Sequence, residues 1–154
     1  MDERQREVGA AITEVNSALG HVAHNRWQLC GLHGGRLWLI ADSMRPNLVP
    51  GTRCTRVTTL ARRCLQERIA VTVSSVWPYD PGERTRDWEM DWPALVYVPV
   101  TARRRTIGVL IVGSRVQSTY EPADVEFLSD LGEVLGPWLR HYLDQHRPGD
   151  RRAA

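Results

Sequence analysis

Two apolar runs set the strongest limit on how this chain folds. Leu95 to Thr101 and Thr106 to Gly113 are nearly unbroken β-branched and aliphatic stretches, parted only by Ala102 and the consecutive Arg103, Arg104 and Arg105. Such runs read as strands, and the short polar break between them reads as a hairpin turn. Strands that are apolar on both faces are covered on both faces. The hairpin is therefore expected in the middle of a sheet, with its arginines in a solvated turn rather than in an anion site.

The rest of the chain supplies partners for that hairpin. Over residues 2–24, Val8, Ile12, Val15, Leu19 and Val22 recur at spacings of 4, 3, 4 and 3, a heptad seam on one helix face. Two strand-like runs, about 27–32 and 36–41, flank His33-Gly34-Gly35, whose glycines allow the positive φ of a tight turn. Residues 43–50 form a loop, 58–68 a short helix with Leu60, Ala61, Cys64 and Leu65 inward, and 70–76 a β-branched strand. A long segment, 77–93, carries prolines, a glycine and three of the six tryptophans. Residues 122–145 are helical, with Leu128, Leu131, Leu135, Trp138 and Tyr142 at spacings of 3, 4, 3 and 4. Pro137 is expected to kink or interrupt that helix, because its ring and missing N–H cost about 3 kcal/mol in a helix interior. The order of elements implies an α+β fold: a central antiparallel sheet of about five to six strands, the N- and C-terminal helices packed on one face, and loops on the other.

Composition narrows the function. With 154 residues the chain fits one domain, taken as residues 1–146, followed by a disordered tail over 147–154. A net charge of +2 gives no ground for a nucleic-acid partner, and no apolar run reaches the ~20 residues that cross a bilayer. Met1 to Glu7 is charged and has no secretion-signal core, so a cytoplasmic protein without a membrane partner is expected. Cys30, Cys54 and Cys64 are odd in number and far apart, which argues against a disulfide framework or a zinc site.

The closing half carries a family resemblance. Val98-Pro99-Val100, Ile107-Gly108-Val109-Leu110, Tyr120, and Asp124 near the start of a long final helix resemble the second half of a GAF domain, and the fit extends over roughly residues 3–145. The resemblance is to a stand-alone bacterial GAF-like protein. It implies a pocket on the sheet face opposite the terminal helices, and a sensor or regulatory module acting through a dimer or a signalling partner. Glu121 in place of a stronger cap residue and Pro137 in the final helix depart from the pattern.

The residues suggest where a small ligand would sit. Trp77, Tyr79, Trp88 and Trp92, with Arg84, form an aromatic and charged lid, Ser75 leads into it, and Tyr97 stands in a central strand beneath. Arg53 and Arg56 precede the short helix and suit a carboxylate or phosphate, though a solvated face is the plainer reading. A homodimer is expected to use the helix seams, through Val8, Ile12, Val15 and Leu19 on one and Leu131, Leu135 and Trp138 on the other. A ligand-free dimerisation module is the alternative. Some GAF-like enzymes reduce free methionine sulfoxide with pocket cysteines; Cys54 is the one loop thiol here, and no catalytic or metal residue is assigned. The chain has no lysine, which the cyclic-nucleotide signature of animal GAF sensors needs, and no Cys-His pair of the kind that attaches bilins. No cofactor is named.

Overall fold

The computed structural model describes residues 3–55, 57–74, 93–116 and 119–149. Helix α1 (Glu3–Ala18) ends in a single 3-10 turn at Leu19–His21. Strands β1 (Arg26–His33) and β2 (Arg36–Asp42) form a hairpin, followed by the two-residue β3 (Cys54–Thr55), helix α2 (Thr59–Glu67) and β4 (Val71–Ser74). Strands β5 (Ala94–Ala102) and β6 (Arg105–Ser114) form the second hairpin, and helix α3 (Pro122–Gln145) follows it. The six strands make one antiparallel sheet in the order β3-β2-β1-β6-β5-β4. The β5–β6 hairpin thus lies inside the sheet, as its two-sided apolar character requires.

The two hairpin turns solve one steric problem differently. Between β1 and β2, Gly34 and Gly35 take φ of 60° and 74° at no steric cost. Between β5 and β6, Ala102 pairs with Arg105, and Arg103 and Arg104 occupy the turn with φ of 51° and 64°. Both arginines are solvated, as expected, but they hold a left-handed backbone that L-residues avoid.

Helices α1 and α3 cover one face of the sheet. Val8, Val15, Leu19, Leu128, Leu135 and Leu139 pack with Trp27, Val96, Val98, Leu110 and Val112 in the main core. One expectation is corrected here. The seam residues Val8, Val15, Leu19, Leu131 and Leu135 are buried within the chain and cover the sheet instead of meeting a partner, while Ile12 and Trp138 are only half-buried. Burial of the apolar sheet face is the larger driving force, and these two stripes are what can reach it. The inner face of α2 packs with Tyr97, Val109 and Ile111 in a second core on the opposite face.

Helix α3 is continuous through Pro137, contrary to the interruption expected. Pro137 and Glu133, the residue four before it, are both exposed, so water can take the carbonyl that the proline leaves unbonded. On the inner side Gly132 and Gly136 let the helix backbone sit on β5; a Cβ at Gly136 would lie 1.6 Å from the Thr101 carbonyl oxygen. Glu121 caps α3 without a side-chain hydrogen bond, Pro122 stands in the first turn, and the Tyr120 hydroxyl donates to the Ala23 carbonyl at 2.9 Å. Pro99 lies two residues past Tyr97, the last β5 residue paired with β4, where no strand on that side needs its missing N–H. Past α3 the chain stays packed at least to Gly149, with Pro148 buried, farther than a tail starting at residue 147 would suggest.

Candidate functional site

The sheet face opposite α1 and α3 is apolar except at one corner, and a register shift makes that corner. Cys30 pairs with Leu39 but Leu29 pairs with Ala41, so the ladder skips Ile40. The extra residue turns the end of β2 over. Gln28 then pairs with Asp42, and both share the face of Arg26.

Asp42 is the one buried carboxylate among the described residues, and its surroundings explain how it stays charged. The Arg26 guanidinium donates to both carboxylate oxygens, Nε to Oδ1 at 3.0 Å and Nη2 to Oδ2 at 2.5 Å. Gln28 Nε2 donates to Oδ2 and the Met44 N–H to Oδ1, each at 3.0 Å. Burial by itself would raise the Asp42 pKa; the hydrogen bonds from Arg26, Gln28 and Met44 and the Arg26 charge outweigh it and hold the pKa below the usual carboxylate value. Arg45 approaches from the solvent side, Nε at 3.8 Å from Oδ2.

From this corner the chain runs into the loop 43–53. The Ser43 N–H donates to the Trp27 carbonyl, the Trp27 N–H to Ser43 Oγ, and Leu48 packs on the second core. Beside the corner, Arg45, Pro46, Asn47, Leu48 and Arg53 line a cleft of about 270 Å³. Pro46 and Asn47 also wall a larger cleft, about 510 Å³, whose far side is Gln5, Arg6, Gly9 and Ile12 of α1. Two guanidinium groups on one small cleft suit a carboxylate or phosphate, which arginine can grip in bidentate fashion.

Tyr97 is fully buried on this same face. It belongs to a cross-strand row of Gln28, Ile111, Tyr97 and Val71, so it stands in line with the polar corner. The neighbouring row is Arg26, Gly113, Leu95 and Val73. Strand β4 ends at Ser74 and β5 begins at Ala94, both at the end of the sheet where β2 enters the 43–53 loop. The expected lid residues Ser75, Trp77, Tyr79, Arg84, Trp88 and Trp92 lie outside the described residues, as does Arg56. Of the ligand residues expected from sequence, Tyr97 is therefore the one among the described residues, buried in the second core and off the cleft, while Arg53, read first as a solvated residue, lines the cleft. Arg26, Gln28, Asp42 and Arg45 were not anticipated. Arg26 and Asp42 each sit one residue outside the strand limits read from the apolar runs, and no local pattern announces the skipped residue that brings them together.

The thiols are arranged for packing. Cys30 and Cys64 are buried in the second core, and burial pushes the Cys64 thiol up to about 12, so it stays protonated. Cys54 is exposed on β3. Among the described residues no group of three or more histidines, cysteines or acids is gathered to hold a metal ion, and no helix is long and apolar enough to cross a membrane.

Comparison with known proteins agrees with this architecture. A family model of the GAF domain matches residues 29–140. The GAF domain of a two-component sensor histidine kinase from Bacillus halodurans superposes with a TM-score of 0.65 at 18% identity, over 88% of this chain and 92% of that one. The GAF domain of an Acinetobacter phosphoenolpyruvate-protein phosphotransferase gives 0.64 at 19% identity over 96% of each chain. A type II free methionine-R-sulfoxide reductase from Thermoplasma acidophilum gives 0.67 at 14% identity, over 90% and 94%. None of the curated proteins matches the chain in sequence.

Proposed function

The chain belongs to the GAF domain family, and from that premise we propose that it is a sensory or regulatory module for a small anionic molecule, a carboxylate or a phosphate ester. The ligand sits beside loop 43–53, with Arg45 and Arg53 as its anchors and the buried Arg26–Asp42 pair fixing the start of that loop.

The observation that carries this reading is the polar corner itself. A buried ion pair is rarely worth more than an apolar pair of the same volume, so its presence on an otherwise apolar face points to a task other than stability. Here the pair holds the start of the loop that presents Arg45. The fold neighbours include reductases, but the two buried cysteines are packed as apolar residues and the exposed Cys54 stands alone, so the sensor reading is preferred to the enzyme. The test is a thermal-shift screen with small carboxylates, nucleotides and sugar phosphates. A ligand at about 100 times its Kd adds about 2.7 kcal/mol, or roughly 5–10 °C for a domain of this size. The shift should vanish in Arg45→Ala with Arg53→Ala. A shift that survives in that double variant places the ligand elsewhere.

A second reading rests on a different observation. With its inner stripe spent on the sheet, α3 still shows solvent an outer stripe of Phe127, Val134 and half-buried Trp138, Val134 being 68% exposed. Phe127, Val134 and Trp138 recur at 7 and 4, one helix face, suited to pairing with α3 of a second copy. Val134→Glu should turn such a dimer into a monomer in sedimentation or native mass spectrometry, whereas an unchanged dimer would move the interface off this face.

A further inference from the structure

Loop 43–53 is held at two ends, and near the second it is held by a segment that is not part of the ligand site. At Gly51 its backbone meets the segment that follows α3. The Gly149 N–H donates to the Gly51 carbonyl at 3.1 Å, and the Gly51 N–H donates to the Leu39 carbonyl at 2.9 Å. Pro148 is buried, and its Cα would lie 3.5 Å from a Cβ at Gly51. Gly149 lies against the Trp38 indole so closely that a Cβ would stand 2.7 Å from the ring. Both glycines have positive φ, 75° and 79°, so the clip is built where only glycine fits without strain.

The same segment fastens α3 to α1. His146, the C-cap of α3, lies 3.0 Å through Nε2 from Glu7 Oε2, and its ring leans on Tyr142 with centroids 4.9 Å apart. One short stretch therefore touches the end of α3, the first turns of α1 and the loop whose other end carries Arg45. That loop also walls the cleft against α1 through Pro46 and Asn47.

We propose that Arg147–Gly149 is a strap through which loop 43–53 and the end of α3 are coupled, so that a change at one end of the loop alters how firmly α3 is held. The ligand half of this statement, that an anion at Arg45 and Arg53 supplies the change, rests on the sensor reading above. The coupling half does not. Coupling between two sites is reciprocal, so it can be read from either side and without ligand.

The experiment is amide hydrogen exchange on the full chain. Gly149→Ala unseats the strap by steric clash and backbone strain; Gly149→Pro removes the N–H donor itself. Both should speed exchange at Arg45, Leu48 and Gly51, about five-fold or more, while β5 and β6 keep their native protection. From the other side, Arg45→Ala, which touches nothing in the strap, should speed exchange at Gly149 and His146. Effects confined to the mutated segment in both directions overturn the coupling. A ligand screen without hits would remove the sensor reading while leaving a measured coupling in place. A strap that loosens without the loop would remove the coupling while leaving ligand binding in place.

Discussion

Replacing Arg103-Arg104 by Asn-Gly should make this protein more stable, although it deletes two charges and adds no contact. The turn between β5 and β6 has two residues, both with positive φ, and both are arginine. A left-handed backbone costs an L-residue roughly 1–2 kcal/mol through the clash of Cβ with the following carbonyl. Glycine has no such clash, and its extra unfolded-state freedom gives back about 0.5–1 kcal/mol. Asparagine tolerates the same conformation better than arginine does. The net gain is about 1 kcal/mol, which for a domain of this size moves the melting midpoint up by roughly 2–4 °C. Urea unfolding should show the same gain as a higher midpoint at unchanged slope. Arg105→Gly is the control: Arg105 sits in the strand opposite Ala102, so glycine there should destabilise. If Asn-Gly leaves stability unchanged or lowers it, the arginines hold contacts that offset the strain, and the solvated-turn account fails.

Other consequences follow from the packing and the polar corner. Gly136→Ala would put a Cβ 1.6 Å from the Thr101 carbonyl oxygen, forcing α3 off β5; a loss of about 3 kcal/mol is expected in urea unfolding, and a loss under about 1 kcal/mol would deny the close approach. Asp42→Asn removes the charge that the buried Arg26 guanidinium grips with two hydrogen bonds and should cost about 3 kcal/mol at neutral pH. Because the folded-state pKa of Asp42 is lowered, its contribution is fully present above the ordinary aspartate pKa and fades as pH falls through the lowered value; Asp42→Asn should flatten the acid limb of stability against pH, and an unchanged limb would contradict the pairing.

Much of the fold is legible in the sequence because periodicity reports burial. The runs around Arg103–Arg105 placed their hairpin inside the sheet, and the seams of 8–22 and 128–142 marked two helices. The destination of those seams was not legible. A stripe of Val8, Val15 and Leu19 looks the same whether it meets a sheet or a second chain, and only the apolar face of β1, β5 and β6 decides between them. Gly108 is a point of close approach, where a Cβ would fall 2.3 Å from the Cys30 carbonyl oxygen. Gly132 and Gly136 mark the same kind of close approach on the inner side of α3. The polar corner was hidden for a different reason. Arg26 and Asp42 are 16 residues apart, and without the skipped Ile40 the pairing of β1 with β2 would send Asp42 to the other face. A single inserted residue in one strand leaves no trace in composition or period.

Native mass spectrometry of the full chain, incubated with the anions found by thermal shift, tests the central claim most directly. The account predicts one small carboxylate or phosphate ester per subunit, lost in the Arg45→Ala, Arg53→Ala double variant while the protein stays folded. Bare chain in every sample, or a bound molecule that the double variant keeps, would contradict it.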